Sequence, residues 1–204
     1  MNEAAAIRQW GRVAFAHGLL YGASGNLSIR RGERIWITRS GSWLGFLTPR
    51  DVISFRRGGP LPVGVSMETA LHLAGYAADA GAQCILHSQP LASTLLACRG
   101  RRPALNLVPE SMYYVRRVAL VPYAHPGSAK LAALVGKAAG KADLIMLRHH
   151  GLVALGATPE ECLLKTIAFD FACRLAVEGN GKLPALPEKV RRDLQRQLAA
   201  RQRA

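Results

Sequence analysis

Apolar positions in residues 2–18 recur at helical spacing (Ala4, Ile7, Trp10, Ala14) and stop near Gly18, which predicts one amphipathic helix. Gly22 and Gly25 then open a loop, and LSIRRGERIWIT reads as two short strands joined at Arg31-Gly32. GFLTPRDVISFRRGGP reads as a further strand pair around the turn Thr48-Pro49-Arg50-Asp51. From Ser66 the period lengthens, and Leu71, Ala74, Gly75 and Ala78 predict a helix of about three turns behind Ser66-Met67-Glu68. CILH is a short buried strand, and Pro90 sits where a first helical turn tolerates proline, so PLASTLLAC begins another helix. VPESMYYV predicts a short helix or turn, Val118 to Val121 a strand, and Ala129 to Ala139 a helix. LIMLRHHGLVALG predicts two strands bent at His149-His150-Gly151, and Pro159 opens a long helix to about Glu178. Gly179-Asn180-Gly181 ends it, and residues 185–203 form a basic tail, helical or disordered.

Strands thus cluster at the start and alternate with helices in the centre, which predicts an α/β fold of three layers around a mixed sheet. A chain of 204 residues suits one domain. The expected boundaries are a domain over 1–181 and a basic helical tail over 182–204. Half the residues are hydrophobic and a fifth are charged, which is globular composition. No apolar run approaches the roughly 18 residues of a membrane span, and no membrane partner is expected. The amino-terminal segment carries Glu3 and Arg8 and has no apolar core like that of a secretory signal. Cys84, Cys98, Cys162 and Cys173 lie far apart in apolar surroundings, as buried thiols of a cytoplasmic protein would. The net charge of +14 is spread over short arginine clusters and the tail, and only 6% of residues are aromatic. That pattern gives a basic surface attractive to anionic metabolites, and a nucleic-acid partner is not expected.

The chemistry-bearing residues fall at element ends. Glu68 opens a helix, His87 closes a strand, and His150 sits at a strand bend, so side chains from three elements can converge. His87 and Gln89 share one face of an extended segment, whereas the adjacent His149 and His150 cannot both face one site. Two imidazoles, a carboxylate and an amide oxygen would suffice for a zinc-like ion. Each residue alone also has a structural reading: a histidine closing a strand, or a carboxylate favoured at a helix start.

The ordered series GNLS (25–28), TRSG (38–41), LTP-x-D (47–51), SMET-x-LH (66–72), LHSQ (86–89) and HHG (149–151) resembles the class II aldolase/adducin family of L-fuculose-phosphate aldolase type. The resemblance covers roughly residues 4–180. It implies an α/β/α domain with a central, mainly antiparallel sheet, assembled as a homotetramer with sites between subunits. It also implies a lyase that makes or breaks a C–C bond in a small hydroxylated carbonyl substrate through an enediolate. By the same resemblance His87 and His150 hold zinc, with Glu68 as ligand and acid/base. Asn26, Ser40, Gly41 and Ser66 match the phosphate pocket, and Tyr113 or Tyr114 would protonate the leaving aldehyde's oxygen.

Two positions depart from the family pattern. Gln89 stands where a second histidine is expected, which would weaken zinc or favour a harder ion such as Mn²⁺. Met67 stands where a phosphate-binding hydroxyl is expected, and His125, in VPYAHPGS, is a candidate replacement ligand. Epimerases, dehydratases, decarboxylases and non-catalytic adducin-like interaction modules share the pattern and remain alternatives.

Overall fold

The computed structural model describes residues 2–201. Its centre is a seven-stranded sheet, β1 (Asn26–Arg31), β2 (Arg34–Thr38), β3 (Val52–Arg56), β4 (Cys84–Ser88), β5 (Val118–Val121), β6 (Leu144–Leu147) and β7 (Gly151–Gly156). The spatial order is β3-β2-β1-β4-β7-β6-β5, and every neighbouring pair is antiparallel except β5–β6. The sheet is therefore mixed and mainly antiparallel.

Both faces of this sheet are covered, and strand alternation decides which side chains go where. Leu27, Ile29, Cys84, Leu86, Leu144, Met146, Leu152 and Ala154 point into one core, and their neighbours Ile85, Ile145, Leu147, Val153 and Leu155 point into the other. The first core is closed by α1 (Glu3–Ala16), α3 (Leu91–Cys98), α4 (Pro109–Tyr114) and α6 (Pro159–Glu178). The second is closed by α2 (Thr69–Ala78) and α5 (Ala129–Ala139), which pack extensively on each other. This is the three-layer α/β/α arrangement expected.

Local chemistry places the helix ends. The Asn2 side chain accepts from the Ala5 N–H at 2.9 Å and starts α1, whose buried Ile7, Gly11 and Ala14 follow helical spacing. Thr158 accepts from Glu161 N–H at 3.1 Å ahead of Pro159, so the long α6 starts where the proline predicts. The basic tail is helical as α7 (Glu188–Arg201) and touches α4. Among the described residues no helix is long and apolar enough to cross a membrane. The four cysteines are free, three of them buried.

One expectation needs correcting: GFLTPRDVISF is not a strand pair. Leu44–Phe46 and Pro49–Asp51 are short 3-10 turns, and only Val52–Arg56 is extended. Leu44 and Leu47, three apart, both bury under α1, so helical rather than alternating spacing satisfies them.

Candidate metal and substrate site

β4 lies between β1 and β7, and its carboxyl end meets the starts of both, with Asn26 opposite His87 and Leu152 opposite Ser88. His87 shares the face of Ile85 and is almost wholly buried. Its Nδ1–H donates to the Leu152 carbonyl at 3.0 Å, so Nε2 carries a lone pair, which accepts from the Gln89 carboxamide N–H at 2.8 Å. That bond orients the ring as an outer-shell carbonyl does in metal sites.

His150 enters from the β6–β7 bend. His149 takes a left-handed backbone (φ 55°), and the His150 N–H donates to Leu147 O at 3.1 Å. Gly151 follows because the end of the neighbouring strand β4 approaches it closely: a Cβ there would lie 2.5 Å from the Ser88 carbonyl. The tight bend brings the His150 ring edge-on to His87, with centroids 4.7 Å apart.

Glu68 precedes the first turn of α2. Its backbone N–H donates to Ser66 Oγ, and its Oε1 accepts from the Gly127 N–H at 2.7 Å. Its other oxygen, Oε2, is buried with no protein partner, as is His150 Nδ1. One ligand atom from each of Glu68, His87 and His150 lies within 4.8 Å of the others. A carboxylate with two imidazoles, two of them carrying unpartnered buried atoms, is the donor set of a divalent metal site.

The electrostatics suit that use. Burial pushes the His87 pKa down to about 3, the His150 charge adds to the effect, and the Leu152 hydrogen bond opposes it. Burial also lowers the His150 pKa. Both rings are therefore neutral at pH 7, the form that ligates. Burial raises the Glu68 pKa against the opposing pull of the Gly127 N–H and His125, which brings it closer to the range of a working acid/base.

A cavity of about 200 Å³ opens beside these three residues. Asn26, Ser40, Gly41 and Ser66, all expected from the sequence, line it, and so does Gln89. The Gln89 carboxamide reaches back to His87, with Nε2 at 2.8 Å from the His87 Nε2 and with Oε1 buried and unpartnered. Met67 projects at the rim, 63% exposed, and packs over Gly127.

Of the remaining candidates, His125 stands close enough to Glu68 to lower its pKa, and Tyr113 and Tyr114 lie elsewhere. His125 is exposed and its Nδ1–H donates to Pro126 O at 2.8 Å, so it is not part of the three-residue cluster. Tyr113 and Tyr114, on α4, line a separate cavity of about 440 Å³ with Arg116, Arg117 and Lys165. Within one chain they do not reach the site.

Two contributors escaped the sequence reading. Arg39 lines the cavity, its guanidinium braced by Nε–H donation to Arg50 O at 3.2 Å. His72 is fully buried beside Asn26, four residues after Glu68 and hence on the same side of α2. Polar residues alternating along β1 (Asn26, Ser28, Arg30) on a strand inside a buried sheet were the available signal for it.

The chain is matched over residues 5–177 by the family described as class II aldolase and adducin N-terminal domain. It is 31% identical over 167 residues to an L-fuculose phosphate aldolase of Methanocaldococcus jannaschii, covering 81% of this chain and 91% of that protein. A methylthioribulose-1-phosphate dehydratase of a Bradyrhizobium species is 33% identical, covering 81% and 85%. Among solved structures, YgbL of Klebsiella pneumoniae, described as belonging to the aldolase, epimerase or decarboxylase group, superposes with a TM-score of 0.84 at 26% identity, covering 94% and 97%. Fold, motif order and converging site residues agree, and the chain belongs to the class II aldolase and adducin family.

Proposed function

We propose that this protein is a metal-dependent lyase of the aldol type acting on a small hydroxylated carbonyl compound with a phosphate or similar oxyanion. The observation that carries the reading is the convergence of Glu68, His87 and His150 beside a cavity lined by Asn26, Ser40, Gly41 and Ser66. Glu68, His87 and His150, with the Gln89 amide oxygen, would hold a divalent ion such as zinc or manganese, which would supply Lewis-acid stabilisation of negative charge on the substrate's carbonyl oxygen. Glu68 moves the proton at the carbon or hydroxyl next to that carbonyl. Ser40, Gly41 and Ser66 receive the oxyanion through hydroxyls and backbone N–H groups. The reading includes a homotetramer in which Tyr113 or Tyr114 of a neighbouring copy protonates the departing aldehyde oxygen. In support, the cavity of about 200 Å³ suits a substrate of a few carbons and lies open to solvent where a neighbour could close it.

The alternative is dehydration, decarboxylation or epimerisation on the same core, which the dehydratase relative and the YgbL likeness favour. Protein purified without a histidine tag should retain close to one transition ion per chain. It should then release an aldehyde from L-fuculose phosphate, with Glu68→Gln lowering kcat at least about 100-fold, as expected for loss of a general base. A chain that cannot be loaded with zinc, manganese or cobalt defeats the enzyme reading and leaves an adducin-like interaction module. A loaded chain that gives a dehydrated or decarboxylated product selects the alternative.

A further inference from the structure

Asn26 and His87 are cross-strand partners, so the carboxamide of Asn26 sits beside the candidate metal ligand and lines the same cavity. Which end of that carboxamide faces the cavity decides whether it offers substrate a donor or an acceptor. The answer is built behind it, in a buried relay of four side chains.

His72 Nε2 is 2.5 Å from Asn26 Oδ1, His72 Nδ1 is 2.6 Å from Ser28 Oγ, and Ser28 Oγ is 2.7 Å from the Tyr76 hydroxyl. The imidazole touches a hydroxyl and an amide and no carboxylate, and it is fully buried, so it carries a single ring proton. Burial also keeps the Tyr76 phenol protonated, and Ser28 is the only hydrogen-bond partner of its hydroxyl among the described residues. Tyr76 therefore donates to Ser28, Ser28 donates to His72 Nδ1, and His72 Nε2–H donates to Asn26 Oδ1. The opposite direction would strand the phenol proton in a dry core with no acceptor. With Oδ1 engaged, the Asn26 amino group is the end left for the cavity.

We propose that His72 is a positioning residue that fixes the Asn26 carboxamide with its amino group turned into the pocket, as a donor to the substrate's oxyanion. This rests on the oxyanion reading of the pocket given above. Arg30 braces the device from below. Its guanidinium lies over the Tyr76 ring and donates to the carbonyls of Tyr76, Ala80 and Ala82, tying the end of α2 to β1. The relay thus carries α2's position to the pocket wall through hydrogen bonds of fixed direction.

The first test uses ¹⁵N NMR of the zinc-loaded full chain, with the His72 ring signals identified by their loss in His72→Gln. The expected signature is a neutral ring protonated at Nε2; protonation at Nδ1 overturns the proposal. The second test measures inorganic phosphate binding to zinc-loaded protein. His72→Leu removes the donor and should weaken phosphate about tenfold or more, the loss of one hydrogen bond to a charged group. His72→Gln can still present an N–H to Asn26 and should stay within about threefold of wild type, a rescue that a packing role would not give. Equal loss in both folded variants, or no loss in either, overturns the proposal. If wild type binds no phosphate while the Nε2–H tautomer is found, the oxyanion reading of the pocket falls, and the orientation of Asn26 stands.

Discussion

In the proposed coordination, Gln89 is the residue on which metal affinity would turn. An amide oxygen is a weaker zinc ligand than a neutral imidazole, because its lone pair is less basic and the amide carries no charge to compensate. The structure already places its carboxamide within reach of His87 and leaves its Oε1 without a partner. Gln89→His should therefore tighten zinc at least about tenfold, or about 1.4 kcal/mol, read by competition with a chelating dye. Equal affinity in both proteins would show that position 89 stays outside the coordination shell. Glu68, His87, Gln89 and His150 were legible from the sequence because they stand in an ordered set of short motifs at element ends. His72 stands in one of those motifs too, yet its role could not be read there. Its partners Ser28 and Asn26 lie more than forty residues away and are brought to it only by the packing of α2 on β1.

Helices and strands can be read from the sequence wherever a single period or a proline governs a segment. The bend at His149-His150-Gly151 and the start of α6 at Pro159 are found where the pattern puts them, whereas Pro90 is the extended N-cap of α3, which starts one residue later at Leu91. The segment 44–51 was misread because its apolar residues answer to the underside of α1 and not to a strand partner. A Cβ at Gly45 would lie 2.6 Å from the Phe15 ring, so the turn can pass there only as glycine. A tertiary cap was equally hidden. Pro90 cannot cap α3 with its own side chain, and the Asp170 carboxylate on α6 instead accepts from the Ser93 N–H at 2.8 Å. Because α3 begins two residues after Gln89, this cap also anchors the segment that carries the Gln89 amide. Asp170→Ala should cost about 1–2 kcal/mol of stability, the usual value of a lost N-cap, measured by urea unfolding. A stability loss below a few tenths would mean that the first turn of α3 is held by packing alone.

Over the whole molecule, one consequence of putting histidines into this fold is a dependence of stability on acid. Burial holds the His72 pKa at about 3, far below its ordinary 6.5. As pH falls below 6.5, the unfolded chain takes up a proton at this position that the native state refuses, so stability is lost progressively down to about pH 3. The slope is at most about 1.4 kcal/mol per pH unit for one such histidine. Metal-free protein has a second group of the same sign in His87, and His150 is shifted in the same direction. Glu68 works in opposition: its raised pKa stabilises the fold at low pH, and that contribution is lost as pH rises from its unfolded value through its folded one. Two histidines with pKa held at about 3, with His150 shifted in the same direction, outweigh one raised carboxyl, so chelator-treated protein should unfold at lower urea as pH falls below 6.5. His72→Gln removes one of the opposing protons without touching the metal ligands. Its stability should fall less steeply between pH 6.5 and 5 than that of wild type, by up to about 1.4 kcal/mol per pH unit. Parallel slopes for the two proteins would mean that His72 titrates normally in the fold. That result would also undo the neutral, singly protonated ring on which the orientation of Asn26 depends.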